Sequence, residues 1–229
     1  MEKIILPVTA LLLCVVSQRL LVRDAEKNPY ENEMQEVPLT ELSDGLKKQI
    51  RIYSVVMILL TVLIAAVTAM QTEDVQEMFR GLRTVALLSV LWPIAYSDYK
   101  TYRIPNAFVI MGIVCFFALL LSEFFAFGKG ALSIMLSGII AAAALFMAAL
   151  LCGLCLKNAI GYGDVKIMIV MGLLLGLEDI WSPMFLALMA SLLTAIVLLI
   201  TKKKSRKDSI AFGPALMAGT YLSTVLMLI

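Results

Sequence analysis

Ile110-Met111-Gly112-Ile113-Val114-Cys115-Phe116-Phe117-Ala118-Leu119-Leu120-Leu121 runs twelve residues without a charge, and Ala141-Ala142-Ala143-Ala144-Leu145-Phe146-Met147-Ala148-Ala149-Leu150-Leu151 does the same over eleven. A strand of a membrane barrel would alternate apolar and polar side chains over about ten residues and then turn. These runs do neither. Unbroken apolarity of this length is what a helix immersed in hydrocarbon shows, because such a helix satisfies its own backbone and presents only apolar side chains to lipid. The fold class is therefore all-α, a polytopic transmembrane helix bundle.

The rest of the chain agrees. Of 229 residues, 61% are hydrophobic and 16% charged, too apolar a balance for a water-soluble domain. Windows of roughly 20 apolar residues suit a membrane span. About eight occur, near residues 3–22, 51–70, 82–98, 104–122, 131–151, 162–177, 182–201 and 209–229. Loops rich in Lys and Arg stay in the cytoplasm. Placing segments 19–51, 99–103, 152–166 and 202–208 inside gathers fifteen of the nineteen basic residues there and leaves Lys3, Arg80, Arg83 and Lys129 elsewhere. The run Lys202-Lys203-Lys204-Ser205-Arg206-Lys207 decides the orientation, and both termini are then expected outside. Ile4 to Val16 looks like the apolar core of a signal peptide, but no small-residue cleavage site follows and Cys14 is preceded by leucines, so a retained first helix is expected.

Residues 24–50 form the one long polar segment, with seven acids from Asp24 to Asp44 and breakers at Asn28-Pro29 and Pro38. It is expected to be a cytoplasmic loop. Its last part, Leu39 to Lys48, is either a helix lying at the membrane surface or a disordered connector.

The chain contains no histidine, which removes Ser-His, Cys-His and His-Glu-x-x-His designs together. Cys152 and Cys155 make one Cys-x-x-Cys, half of a zinc site, and read better as small apolar packing residues; no metal site is expected. Carboxylates remain as the hydrolytic tools. Between Leu82 and Leu177 the only acids are Asp98, Glu123 and Asp164. Glu123, at the outer end of the fourth span, is expected to be a solvated loop acid. Asp98 ends the third span and Asp164 begins the sixth, which places both at one cytoplasmic depth. Two carboxyls sharing a site cannot both ionise easily, so one stays protonated, the arrangement that activates water in aspartyl proteases. Judged from each acid's own helix, Asp164 near an N-terminus would be the base, and Asp98 near a C-terminus would carry the proton.

Asp98 lies in Ser97-Asp98-Tyr99-Lys100-Thr101-Tyr102-Arg103-Ile104-Pro105-Asn106, a polar break between spans with Pro105 where a new helix can begin. Lys100 and Arg103 have three readings: holding the acids, meeting the carbonyls of a bound peptide, or contacting lipid headgroups. Asp164 lies in Gly161-Tyr162-Gly163-Asp164-Val165-Lys166, whose glycines permit a close backbone approach.

With these motifs and Phe212-Gly213-Pro214 opening the last span, the chain resembles the type IV prepilin peptidases, of the Gly-x-Gly-Asp class of membrane aspartyl proteases. The resemblance covers roughly residues 82–220 and, more weakly, the first helix. It implies that Asp98 and Asp164 are the catalytic pair and that Gly161, Gly163 and Lys166 are motif residues. Lys100, Arg103, Pro105 and Asn106, read from the residues around the first acid, are candidates for positioning substrate. It implies one membrane domain over 1–229, with 82–229 as catalytic core. The implied substrates are prepilins or pseudopilins of a pilus or secretion system, each with a short basic leader, and no nucleic-acid partner is expected. Longer family members carry two Cys-x-x-Cys pairs in the loop after the first helix and methylate the new N-terminus with S-adenosylmethionine. Residues 24–50 hold no cysteine, so zinc is not expected, and S-adenosylmethionine is expected only if methylation is retained. Two alternatives use paired acids differently. A presenilin-like protease also carries Gly-x-Gly-Asp but not the Ile-Pro-Asn element, and a small ion-coupled transporter would want its acids at mid-membrane within inverted repeats.

Overall fold

The structure is a computed structural model and describes residues 2–27, 44–155, 161–202 and 210–228. These form eight helices: α1 (Glu2–Lys27), α2 (Asp44–Gln71), α3 (Val75–Thr101), α4 (Asn106–Phe127), α5 (Gly130–Cys155), α6 (Tyr162–Asp179), α7 (Trp181–Ile200) and α8 (Gly213–Met227). Each expected span corresponds to one helix. Six of them, α1 to α5 and α7, are long and apolar enough to cross a membrane, so the chain is a multi-pass membrane protein.

α6 and α8 are the short ones. Gly176 interrupts α6 with φ +71, a conformation that favours glycine, and the freed amide of Leu177 donates instead to Ser137 Oγ on α5 at 2.9 Å. The regular part of α6 is then about 21 Å long, and the fifteen residues of α8 span about 22 Å, against a hydrocarbon core of about 30 Å. These are the two helices whose first turns build the site described below.

α3 is the axis of the bundle. It packs against α1, α2, α4, α6 and α8, and 78% of its span is buried, against 17–33% for the other five candidate spans. Leu87, Leu88, Leu91, Trp92 and Ile94 carry that core, while apolar residues such as Leu59, Val114, Phe125 and Leu193 face outward, where lipid replaces water. Small residues allow close approach elsewhere. A Cβ on Gly172 of α6 would lie 2.6 Å from the Ala142 nitrogen of α5, and one on Gly219 of α8 would lie 2.3 Å from the Ala187 nitrogen of α7. Hydroxyls fasten the remaining helices. Ser17 donates to the Ser89 carbonyl at 2.6 Å, Tyr53 donates to the Trp92 carbonyl at 3.1 Å, and the hydroxyls of Thr61 and Tyr221 share a hydrogen bond of 2.6 Å.

Several expectations change. The polar segment 24–50 is shorter than its composition suggests, since residues 24–27 continue α1 and residues 44–50 already belong to α2; residues 28–43 lie outside the described residues. Glu123 is not a solvated loop acid. α4 continues to Phe127, which carries Glu123 inside the helix, where it is 0% exposed and ion-paired to Arg83 of α3. The charge of Arg83 is accordingly buried in the bundle and not displayed on an outer loop. Neighbouring Arg80 pairs with Glu178 and approaches Asp179 to 4.0 Å, so the end of α3 opposite Asp98 is an ionic clamp onto α4 and the α6–α7 corner. Cys152 is exposed on α5 and does not pack within the chain; the side chain of Cys155 lies outside the described residues.

Candidate active site

Asp98 sits one turn before the end of α3. The helix closes with Tyr102 in the left-handed conformation (φ 52), and the Tyr102 amide donates to the Asp98 carbonyl at 2.9 Å. The Asp98 side chain is 5% exposed, and its Oδ2 accepts the backbone N–H of Gly213 at 2.7 Å. The Phe212 amide adds to the favourable field at this carboxyl. Both amides belong to the N-terminal end of α8, where unsatisfied N–H groups and the helix dipole favour an anion. A Cβ on residue 213 would lie 2.9 Å from Asp98 Oδ2 and 3.0 Å from Asp98 Cβ, so the approach requires glycine.

Asp164 is in the first turn of α6, three residues after the extended N-cap Gly161. Its carboxyl lies against the N-cap: a Cβ on Gly161 would stand 3.2 Å from Asp164 Oδ2, and the Gly161 amide favours its charged form. It is half-buried. α6 packs against α3, and the charge on Asp98 acts directly on Asp164, so the two carboxyls are within electrostatic reach at one end of the bundle. Sixty-six positions separate them in sequence; the packing of α6 on α3 removes that separation.

The Ile-Pro-Asn element lies directly on the Gly-x-Gly-Asp turn. Pro105 is the N-cap of α4 (φ −64, ψ 128), and a Cβ on Gly163 would meet Ile104 Cδ1 at 2.9 Å. Lys166 Nζ donates to Asn106 Oδ1 at 2.9 Å. The first turns of α4 and α6 are thus tied by one apolar and one polar contact. Lys100 and Arg103 are exposed, with the Lys100 ammonium 5.9 Å from the Tyr99 ring centroid, and neither is ion-paired with an acid among the described residues. Also among the described residues, no group of three or more His, Cys, Asp or Glu side chains could hold a metal ion.

Two carboxyls on separate helices, one buried on a helix N-terminus and one partly exposed, can share a proton and polarise water between them. Residues 85–200, just over half of the chain, match the type IV leader peptidase family. The chain belongs to that family. Both acids, the Ile-Pro-Asn element and the Gly-x-Gly-Asp turn fall inside the matched stretch, whereas Gly213 falls beyond it. A relative from Bacillus subtilis (strain 168), described as "Prepilin leader peptidase/N-methyltransferase", is 24% identical over 139 residues, which are 61% of this chain and 53% of the relative. This family member therefore spans about half the length of that relative. No solved structure matches the chain.

Gly213 is the site residue that its own sequence position conceals. Phe212-Gly213-Pro214 reads as a helix start, because proline fits the first turn, but nothing local says that the free amides there face an acid 115 positions earlier. The Asn106–Lys166 pair is hidden in the same way, since its members stand 60 positions apart in separate motifs.

Proposed function

We propose that this leader peptidase family member is an aspartic endopeptidase that removes the short basic leader from type IV prepilins or pseudopilins at the cytoplasmic face of the cell membrane, with Asp98 and Asp164 as its catalytic pair. The observation that carries this is that the two carboxyls lie within electrostatic reach of each other at one end of the bundle, with the Ile-Pro-Asn element packed on the turn that holds the second acid. One carboxylate takes a proton from water, whose oxygen adds to the scissile carbonyl carbon, while the protonated partner gives its proton to the carbonyl oxygen. Collapse of the resulting diol breaks the C–N bond, the amine leaves with a proton, and the pair returns to a singly protonated state.

A substrate whose hydrophobic helix lies in the bilayer would be held by the membrane, so its scissile bond needs to sample only the headgroup layer to reach the site. The basic residues Lys100, Arg103 and Lys166 share the site's end of the bundle, and the count of fifteen basic residues against four supports a cytoplasmic setting. Exposed Lys100 and Arg103 are placed to meet headgroups or peptide carbonyls. The methyltransferase named in the relative's description stays with that protein. In this chain the reading covers peptidase activity without zinc, and S-adenosylmethionine would enter only with a retained methylation step.

Co-expression with a prepilin, with leader removal followed on a gel, tests the reading. Cleavage is expected with the wild-type chain and none with Asp98→Asn or Asp164→Asn. Undiminished processing by both variants would remove the proposed mechanism.

A further inference from the structure

Considered on its own helix, each acid has a clear preference. Asp98 is near the negative end of α3, and Asp164 is near the positive end of α6. On that basis Asp164 would hold the charge. The tertiary structure adds a second helix end to Asp98, and this changes the balance.

Backbone amides can only donate, so a carboxyl that collects them is favoured in its charged form. Asp98 accepts the Gly213 amide of α8 at 2.7 Å, a donor distance typical of a charge-assisted bond, and the neighbouring Phe212 amide adds to the favourable field. Burial by itself disfavours the charged form of both carboxyls, so the comparison turns on the amides, whose field water does not dilute at the buried Asp98. Its own helix opposes this weakly, because the Asp98 carbonyl is already capped by the Tyr102 amide. Asp164 lies near the Gly161 amide, which favours its charge, and in the field of Asp98, which opposes it. The other groups around the pair do not reverse the comparison. α8 carries no charged side chain among the described residues. Arg23 and Glu26 on α1, Arg51 on α2, and Lys100 and Arg103 flanking the α3–α4 turn are exposed and form no ion pair with either acid, while Lys166 is tethered to Asn106. The nearby phenols of Tyr53 and Tyr96 are neutral at physiological pH.

We infer that Gly213 is a positioning residue whose backbone N–H holds Asp98 as the carboxylate, which makes Asp98 the base that takes the proton from water and Asp164 the acid that protonates the scissile carbonyl. This rests on the reading of the two acids as the catalytic pair. Pro214 supports the arrangement: it has no N–H of its own and fixes the backbone at the start of α8, leaving the Phe212 and Gly213 amides directed at the acid.

The decisive measurement is carboxyl 13C NMR of the full chain in lipid bilayers below pH 6, where Asp164, whose carboxyl burial and the Asp98 charge push up to about 6, holds its proton, with 13Cγ-labelled aspartate and 15N-labelled glycine. In an Asp44→Asn background, which removes the aspartate that precedes Gly45 in the sequence, two aspartate carboxyls should show through-space coupling to a glycine nitrogen, one at the ionised and one at the neutral-acid position. The ionised signal is expected to lose its glycine coupling in Gly213→Ala while the neutral-acid signal keeps its own, which identifies the ionised carboxyl as Asp98 in a chain that retains both acids. Finding Asp98 in the neutral-acid position in the wild-type chain would overturn the inference. A second arm uses Gly213→Ala, whose added methyl pushes the carboxyl off the amide. It should lower the rate of leader cleavage about 10- to 100-fold, the worth of a hydrogen bond to a charged group, and move the acid limb of the rate profile up by about one pH unit. An unchanged acid limb with a normal cleavage rate would also sink the inference, while leaving the peptidase reading intact. Loss of that reading would instead show as cleavage by the aspartate variants.

Discussion

Replacing Arg83 with methionine keeps the length and apolar stem of the side chain but strands the carboxylate of Glu123, which is fully buried and whose Oε1 already lacks a hydrogen-bond partner. Breaking a buried ion pair from one side leaves an uncompensated charge and destabilises by about 3–5 kcal/mol, whereas an exposed pair contributes about 0–1 kcal/mol. For a chain of this size the larger figure corresponds to a fall in Tm of roughly 6–20 °C. Thermal unfolding in lipid nanodiscs, followed by tryptophan fluorescence, would measure it. The double variant Arg83→Met/Glu123→Leu replaces both charges by apolar groups of similar volume and should return to within about 1–2 kcal/mol of wild type, since apolar replacement of a buried pair is often neutral. Added salt should leave the deficit of the single variant almost unchanged, because a desolvated pair is poorly screened. Arg83 lies fifteen helical residues from Asp98, about 22 Å along the axis, so below its Tm the single variant should still cleave. A coupling energy under about 1 kcal/mol from this cycle would show that the pair behaves as a surface contact and refute the clamp.

Gly163→Val places a branched side chain where a Cβ alone would stand 2.9 Å from Ile104 Cδ1; cleavage should fall at least about 10-fold, and Ile104→Ala in the same chain should recover part of it. Asn106→Leu and Lys166→Met each remove the same hydrogen bond, so gel assays of leader cleavage should show the double variant no worse than the poorer single one; additive losses would mean that the two side chains act separately. Gly219→Leu should be the most damaging of these to folding, by about 1–3 kcal/mol or more in thermal unfolding, because the obstructing atom is the Ala187 backbone and cannot swing aside.

The helices were legible because each needs only local information. An unbroken apolar run such as Ile110 to Leu121 makes a span whatever surrounds it, and Pro105 marks where one helix ends and another begins. The two acids were legible by elimination, since a chain without histidine leaves few hydrolytic designs and intramembrane carboxyls are few. Glu123 was misread for a corresponding reason. A serine beside it and a hydrophobic run before it look the same whether the acid meets water or an arginine on another helix, and only the packing of α4 on α3 tells them apart.

The amino-acid sequence by itself determined that the chain lives in lipid and that its fold class is all-α, and it singled out Asp98 and Asp164 as acids expected at one level of the bundle. These follow from hydropathy, chain length and charge placement, which are properties of single segments. Only the tertiary structure decided what each acid touches: α8 brings a helix N-terminus to Asp98, α6 brings Asp164 within reach of its charge, and Arg83 neutralises Glu123 at the opposite end. The physical reason is that hydrogen bonds and buried charges depend on groups from segments far apart in the chain, and their separation is set by how closely side chains let the helices approach.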